Sequence, residues 1–250
     1  VDVVDSSNIH LAPGLSLKCE QELPHQLGVT VDGENLSLIS QIEAGQADFT
    51  EYLPGALAYH LSRTPKVLII KPQGSLEILT ALHHQSSSVV AVISNPLVGE
   101  AIERYGKESR LLDDPRLKIA IEGFSNYIRR SHEEFDVIQL PLTDSFKVVA
   151  VGAYSLSEDY RYTTEAFEDY YRHVATGGFL CVTRWIQVPP SEETRPISLA
   201  TAILENLNVS YPEQHVAAIR SLQTNAISKR EPLQSAGYRC NQGFLRKARI

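Results

Sequence analysis

Apolar residues in this chain come as short unbroken runs, and between the runs lie apolar positions at helical spacing. Val67-Leu68-Ile69-Ile70 is one run, and it leads directly into Lys71-Pro72-Gln73-Gly74-Ser75. Leu76, Leu79 and Leu82 follow at helical spacing, and Val89-Val90-Ala91-Val92-Ile93 closes the unit before Ser94-Asn95-Pro96. Continuous apolar runs suit strands covered on both faces, and the wider spacing suits the helices that cover them. The pattern predicts strand, tight turn, helix, strand, the opening of an open α/β sheet. Ligands of such sheets bind beyond the carboxyl ends of the strands, so residues 71–75 form the first candidate site.

The alternation continues down the chain. Helices are expected at about 75–84, 96–107, 124–131, 163–174 and 194–206. Further strands are expected at Leu117–Ile121, Phe135–Leu140 and Phe179–Thr183, with Thr176-Gly177-Gly178 as the helix stop and turn before the last of these. Two late runs, 215–220 and 224–229, predict a closing antiparallel pair. Upstream, Leu27–Val31 and Leu36–Ser40 flank Asp32-Gly33, the signal of a two-residue hairpin. Residues 1–25 carry little period, and Tyr52 to Leu61 reads as a short helix. The division expected is an N-terminal β-hairpin extension over 1–62 and an α/β domain over 63–250. Residues 141–160 lack a clear period, and loops that long are usually functional or disordered.

Composition narrows the choices. A net charge of −7 argues against nucleic acid as a partner, because phosphate binding needs a basic stripe. Cys19, Cys181 and Cys240 are odd in number and far apart, and read as small buried hydrophobes in a reducing, cytoplasmic setting. No apolar run approaches the roughly 18 residues of a membrane helix, and no signal peptide is visible. The eight histidines show no metal-ligand spacing, so no metal is expected. There is no G-x-S-x-G elbow for a hydrolase. The G-x-G-x-x-G spelling of a nicotinamide oxidoreductase is also absent.

Several stretches resemble the spermidine/spermine synthase family, within the S-adenosylmethionine-dependent methyltransferase-like folds. They are Pro65–Ile70 with the turn after it, Asp114-Pro115-Arg116-Leu117, Tyr127-Ile128, and Phe135-Asp136-Val137-Ile138 with Asp144 following. Tyr162-Thr163 with Glu165-Ala166-Phe167, and Gly177-Gly178-Phe179-Leu180, complete the series. The resemblance covers roughly 27–232 and implies an α/β Rossmann-like sheet, mostly parallel with an antiparallel closing strand, behind a small N-terminal β extension. It also implies S-adenosylmethionine or its decarboxylated form as co-substrate, a polyamine or other amine as substrate, and a homodimer. Some relatives carry the domain on membrane-spanning segments, so a soluble piece of a membrane-anchored chain is a second expectation. The departures are specific. The Gly-rich turn is replaced by Lys71–Ser75. The ribose-binding acid is replaced by Ile93, expected at a strand end facing water. The first acid of Asp-x-x-Asp, which helps deprotonate the amine, is replaced by Pro141.

The candidate residues follow from these places. Gln73, Gly74 and Ser75 are cofactor-binding candidates, with Ser75 alternatively a helix cap. Asn95 is a neutral stand-in for the ribose acid, or else the start of the next helix. Glu122-Gly123 suits an adenine amino group, or else a solvated helix start. Asp144 is the catalytic candidate, or a turn residue. Tyr154, Ser157 and Glu158 are substrate candidates in the long loop, with Arg184 and Trp185 as walls of the same mouth. A transferase of the spermidine-synthase type and a non-catalytic nucleoside-binding or interaction module both fit this set.

Overall fold

The computed structural model describes residues 1–72, 74–142, 159–185, 194–220 and 223–229. A small antiparallel sheet comes first, built of β1 (Asp2–Asp5), β2 (Gln26–Val31) and β3 (Glu34–Ser40). The β2–β3 hairpin turns at Asp32 and Gly33, whose φ values of 55° and 71° are the left-handed pair that a two-residue turn requires. The sequence pattern gives no hint of β1. Asp2-Val3-Val4-Asp5 is largely exposed and only Val3 packs against the core, so burial imposes no alternation on it.

A helical stretch links the two sheets. Asp48–Tyr52 is a 3₁₀ turn, and the α-helix expected from Tyr52 begins only at Ala56, as α1 (Ala56–Leu61). The α/β part then runs β4 (Lys66–Ile70), α2 (Leu76–His83), β5 (Ser88–Ile93), α3 (Pro96–Tyr105) and β6 (Leu117–Ile121). It continues α4 (Phe124–Arg130), β7 (Phe135–Leu140), α5 (Thr164–His173), β8 (Val174–Trp185) and α6 (Thr194–Asn206). The closing pair is β9 (Val216–Arg220) and β10 (Gln223–Lys229). The strand order is β6-β5-β4-β7-β8-β10-β9, with β4 to β8 parallel and β10 antiparallel to both of its neighbours. The order reverses direction between β4 and β7, the switch point where open α/β sheets bind ligands.

Two apolar layers explain the continuous strand runs. Val67, Ile69, Val89 and Ala91 face α2 and α3, and Val29, Ile39 and Leu57 from the N-terminal region join the same cluster. Leu68, Ile70, Val90 and Val92 face the other way, against Tyr127, Phe167, Tyr170 and Ile203 of α4, α5 and α6. Thr176-Gly177-Gly178 is not a turn ahead of β8 but lies within it. Gly177 takes φ of 79°, and the β7–β8 ladder shifts register between Phe135 and Val137, which lets the strand begin at Val174.

Ile93 corrects an expectation. It is 1% exposed and sits in the same cluster as Val98 and Ile102 of α3, not at a strand end facing water. Water begins one residue later, at the exposed Ser94. A carboxylate at position 93 would enter an apolar layer with no charge partner, which costs several kcal/mol. We expect Ile93→Glu to lose about 3–5 kcal/mol in denaturant unfolding, against about 0.5–1.5 kcal/mol for Ile93→Val. Equal losses in the two variants would show that the position is not enclosed.

Candidate functional site

The turn after β4 is held by the N-terminal sheet. The Ser75 N–H donates to the Leu38 carbonyl at 2.8 Å, and the Ser40 N–H donates to the Ser75 hydroxyl at 2.9 Å. A Cβ at Gly74 would lie 2.1 Å from the Leu38 carbonyl oxygen, so only glycine permits this approach. Gly74 and Ser75 therefore join two parts of the fold. The Ser75 hydroxyl does not cap α2. Beside them Lys71 has φ of 60°, a left-handed conformation that costs a non-glycine residue about 1–3 kcal/mol, and its N–H donates to Val92.

A cavity of about 50 Å³ opens at the switch point. Glu77 and Thr80 of α2, Gln139 and Pro141 at the end of β7, and Thr183 of β8 line it. Pro13, Leu53 and Pro54 from the N-terminal region line it as well. The Tyr59 hydroxyl donates to Gln139 Oε1 at 2.5 Å and fixes the amide. Gln139 Nε2 then lies 3.0 Å from where a Cβ on Gly55 would be. Tyr59 is itself stacked on His84, with ring centroids 5.4 Å apart. Burial lowers the His84 imidazole to about 3, helped by His60 and His83 nearby, so it stays neutral. A cavity this small holds a few waters or the end of a small side chain, far less than a nucleoside.

Glu77 is the chemically distinctive group. It is half-buried, and no cation pairs with it among the described residues. Burial pushes its carboxyl up to about 7, against the pull of its own backbone N–H. Sequence reasoning passed over Glu77 because an acid in the first turn of an amphipathic helix ordinarily answers the helix dipole in water.

The other candidates are dispersed. Asn95 caps α3, accepting from the Leu97 N–H at 3.0 Å. Glu122 pairs with Arg130 at 2.5 Å, and its N–H donates to the Ile93 carbonyl. Gly123 is the residue before α4. Arg184 stacks on the Tyr162 ring at 4.5 Å, and Trp185 ends β8. The fully buried Arg161 binds Asp159. Burial alone would raise that carboxyl, but hydrogen bonds from Arg161 and the charges of Arg161 and Lys71 hold it below the usual range. Gln73, Asp144, Tyr154, Ser157 and Glu158 lie outside the described residues. Of the cysteines, Cys181 is buried but Cys19 is only half-buried, and Cys240 lies outside the described residues. Among the described residues no His, Cys, Asp or Glu group is arranged to hold a metal ion, and no helix is long and apolar enough to cross a membrane.

The residues fit an adenosyl group only in part. The switch point is present, and Glu122-Gly123 follows the edge strand β6, but the ribose position is apolar and Asn95 is engaged as a cap.

No protein-family model matches the chain. A polyamine aminopropyltransferase of Sulfurisphaera tokodaii is 25% identical over 138 residues, 51% of this chain and 46% of the relative. The chain thus spans about half the length of that curated relative. Among solved structures, a spermidine synthase from Thermotoga maritima superposes with a TM-score of 0.55 at 19% identity, covering 90% of this chain and 72% of that one. A spermidine synthase in complex with the transition-state analogue AdoDATO gives a TM-score of 0.50 at 18% identity, covering 90% of this chain and 71% of that one. Human methyltransferase-like protein 13 in complex with SAH gives 0.51 at 16% identity, covering 78% and 86%. The chain resembles the polyamine aminopropyltransferases in sequence, and its fold is the S-adenosylmethionine-dependent methyltransferase-like fold of the spermidine synthases.

The raised Glu77 pKa sets a pH dependence. The folded chain holds this proton more tightly than the unfolded chain, so stability is greatest below the unfolded pKa near 4.5 and declines as pH rises to about 7. The loss above pH 7 is of order 3 kcal/mol, since each tenfold gain in proton affinity corresponds to about 1.4 kcal/mol. We expect urea unfolding to show this decline and Glu77→Gln to remove it. The variant should gain stability over the parent at pH 8 and not at pH 4. A parallel profile in both proteins would mean that Glu77 is hydrated.

Proposed function

We propose that this chain, built on the spermidine synthase fold, is a transferase-like domain that takes an adenosyl ligand. The ligand is S-adenosylmethionine, its decarboxylated form or methylthioadenosine, and the second substrate is a small amine. The observation that carries this reading is the β4/β7 switch point of a sheet whose fold is that of the spermidine synthases. In this reading Glu122 and Gly123 meet the base, and Asp144 orients the amine. Tyr154, Ser157 and Glu158 line the entrance.

The ribose is held poorly. A carboxylate accepting from both hydroxyls contributes about 1.5–3 kcal/mol per bond, and the buried Ile93 gives nothing in its place. Pro141 supplies no carboxylate either, so aminopropyl transfer needs an acid from elsewhere in the cavity. Proton abstraction by a placed base contributes about 10²–10⁴ in rate.

A second reading, a nucleoside-binding or interaction module without chemistry, is favoured by one observation. The turn that would cradle a cofactor is engaged with β3 through Ser75 and Gly74.

Titration calorimetry with the three adenosyl compounds separates the readings. We expect binding of at least one, with Kd above about 10 μM because the ribose contact is missing. Absence of heat at millimolar ligand would favour the interaction module. Low-micromolar affinity would show that other residues replace the ribose acid.

A further inference from the structure

The chain takes a long route between two strands that are neighbours. β1 ends at Asp5 and β2 begins at Gln26, yet Asp5 pairs with Leu27 in the ladder. A hairpin loop of about two to five residues could join them. Residues 6–25 leave the sheet instead, and the neck of this loop is pinned by His25 Nε2 and Asp5 Oδ1 at 2.9 Å. None of its residues is fully buried, and none belongs to either apolar cluster. Long loops without secondary structure of their own are usually functional, and segments with few buried contacts are the ones that open first.

The loop reaches the cavity at one point. Ala12-Pro13-Gly14-Leu15 is a tight turn, closed by the Leu15 N–H donating to the Ala12 carbonyl at 2.9 Å. Proline at its second position and Gly14 with φ of 87° mark a type II turn, so the tip is stiff. Pro13 is the one residue of the loop that lines the cavity. Two anchors flank the turn. The Gln26 amide, 0% exposed, takes both backbone groups of Leu11: its Oε1 accepts from the N–H and its Nε2 donates to the carbonyl, each at 2.8 Å. On the other side the Ser16 N–H donates to the Tyr52 carbonyl at 3.0 Å. Gln26 Nε2 also reaches the Ser40 hydroxyl at 3.4 Å, and the Ser40 N–H donates to the Ser75 hydroxyl at 2.9 Å. One buried polar chain thus runs from the loop to the turn after β4.

We propose that the Ala12–Leu15 turn is a lid on the switch-point cavity, with Gln26 as its latch. With the lid closed the space is about 50 Å³, far less than a nucleoside-sized ligand needs, so such a ligand enters only when Pro13 withdraws. Withdrawal breaks the bonds at Leu11 and Ser16 and removes no residue from the apolar clusters. The latch also ties the lid to Ser75. A ligand that takes the Ser75 hydroxyl deprives Ser40 of its partner and loosens the latch. By reciprocity the open lid favours that ligand to the same degree. That the ligand is adenosyl rests on the transferase reading, and the lid itself does not.

The test places a thiol in the cavity. Thr80 lines it and is 2% exposed, so Thr80→Cys in the intact chain reports access through its rate of alkylation by iodoacetamide, resolved by mass from the native cysteines. We expect this thiol to react about a hundredfold more slowly than after unfolding in urea. Adding Gln26→Ala should speed it about tenfold and leave the buried Cys181 as slow as before. Gly14→Ala should act in the same way, because alanine resists φ of 87° and the buried Gln26 is untouched. An unchanged rate in both variants overturns the proposal. So does equal acceleration of Cys181, which would make Gln26 a support of the whole sheet. A thiol that reacts in the folded parent as fast as in urea overturns it without either variant. Hydrogen exchange at the Leu11 and Ser16 amides then reads the lid with methylthioadenosine present, and we expect it to quicken. Unchanged exchange in a chain that passes the thiol test would keep the lid and count against the adenosyl reading. Slower exchange would overturn the release through Ser75.

Discussion

The Leu38 carbonyl approaches the turn after β4 so closely that no side chain fits at Gly74, and the two strand systems are stitched there by the Ser75 and Ser40 hydrogen bonds. The rest of the site depends on that approach. It fixes the N-terminal sheet against the start of α2, and Val29 and Ile39 then share one apolar cluster with Val67 and Ile69. The chain between the sheets brings Leu53 and Pro54 into the cavity that Glu77 lines. Without those residues the first turn of α2 would face water, and Glu77 would be an ordinary surface carboxylate.

Much of the fold was legible because its signals are local. The runs at 67–70 and 89–93 are apolar throughout, as strands covered on both faces must be, and Asp32-Gly33 announces its own turn. What was not legible depends on contacts between distant segments. Ile93 ends a strand, and the run itself does not say that the residue joins a cluster reaching back to Val29 and Ile39. Gly177 looks like the stop of a helix, yet a register shift against β7 carries it into β8. Ser75 has the sequence context of a cap, but its partner is 35 residues upstream. Glu77 follows the same rule, since its environment is made by Pro13, Leu53 and Pro54 and not by its own helix.

The upper edge of the sheet also shows how charge is distributed. Lys71, Arg161 and Arg184 gather near Tyr162 and Asp159, while Glu77 stands apart in the cavity. Two environments of opposite character result. The left-handed backbone at Lys71 is part of that arrangement, because it sets the direction in which the lysine leaves the strand.

Cys181 gives the sheet a chemical clock. The thiol lies in β8 at 0% exposure, between β7 and β10, and burial pushes it up to about 12. Thiol reagents attack the thiolate, and here neither the charge nor the access exists while the strands are paired. Alkylation at this sulfur therefore waits for the sheet to part, and its rate counts opening events under native conditions. Resolved by mass from the other two cysteines, that single modification would time how often the floor beneath the cavity comes undone.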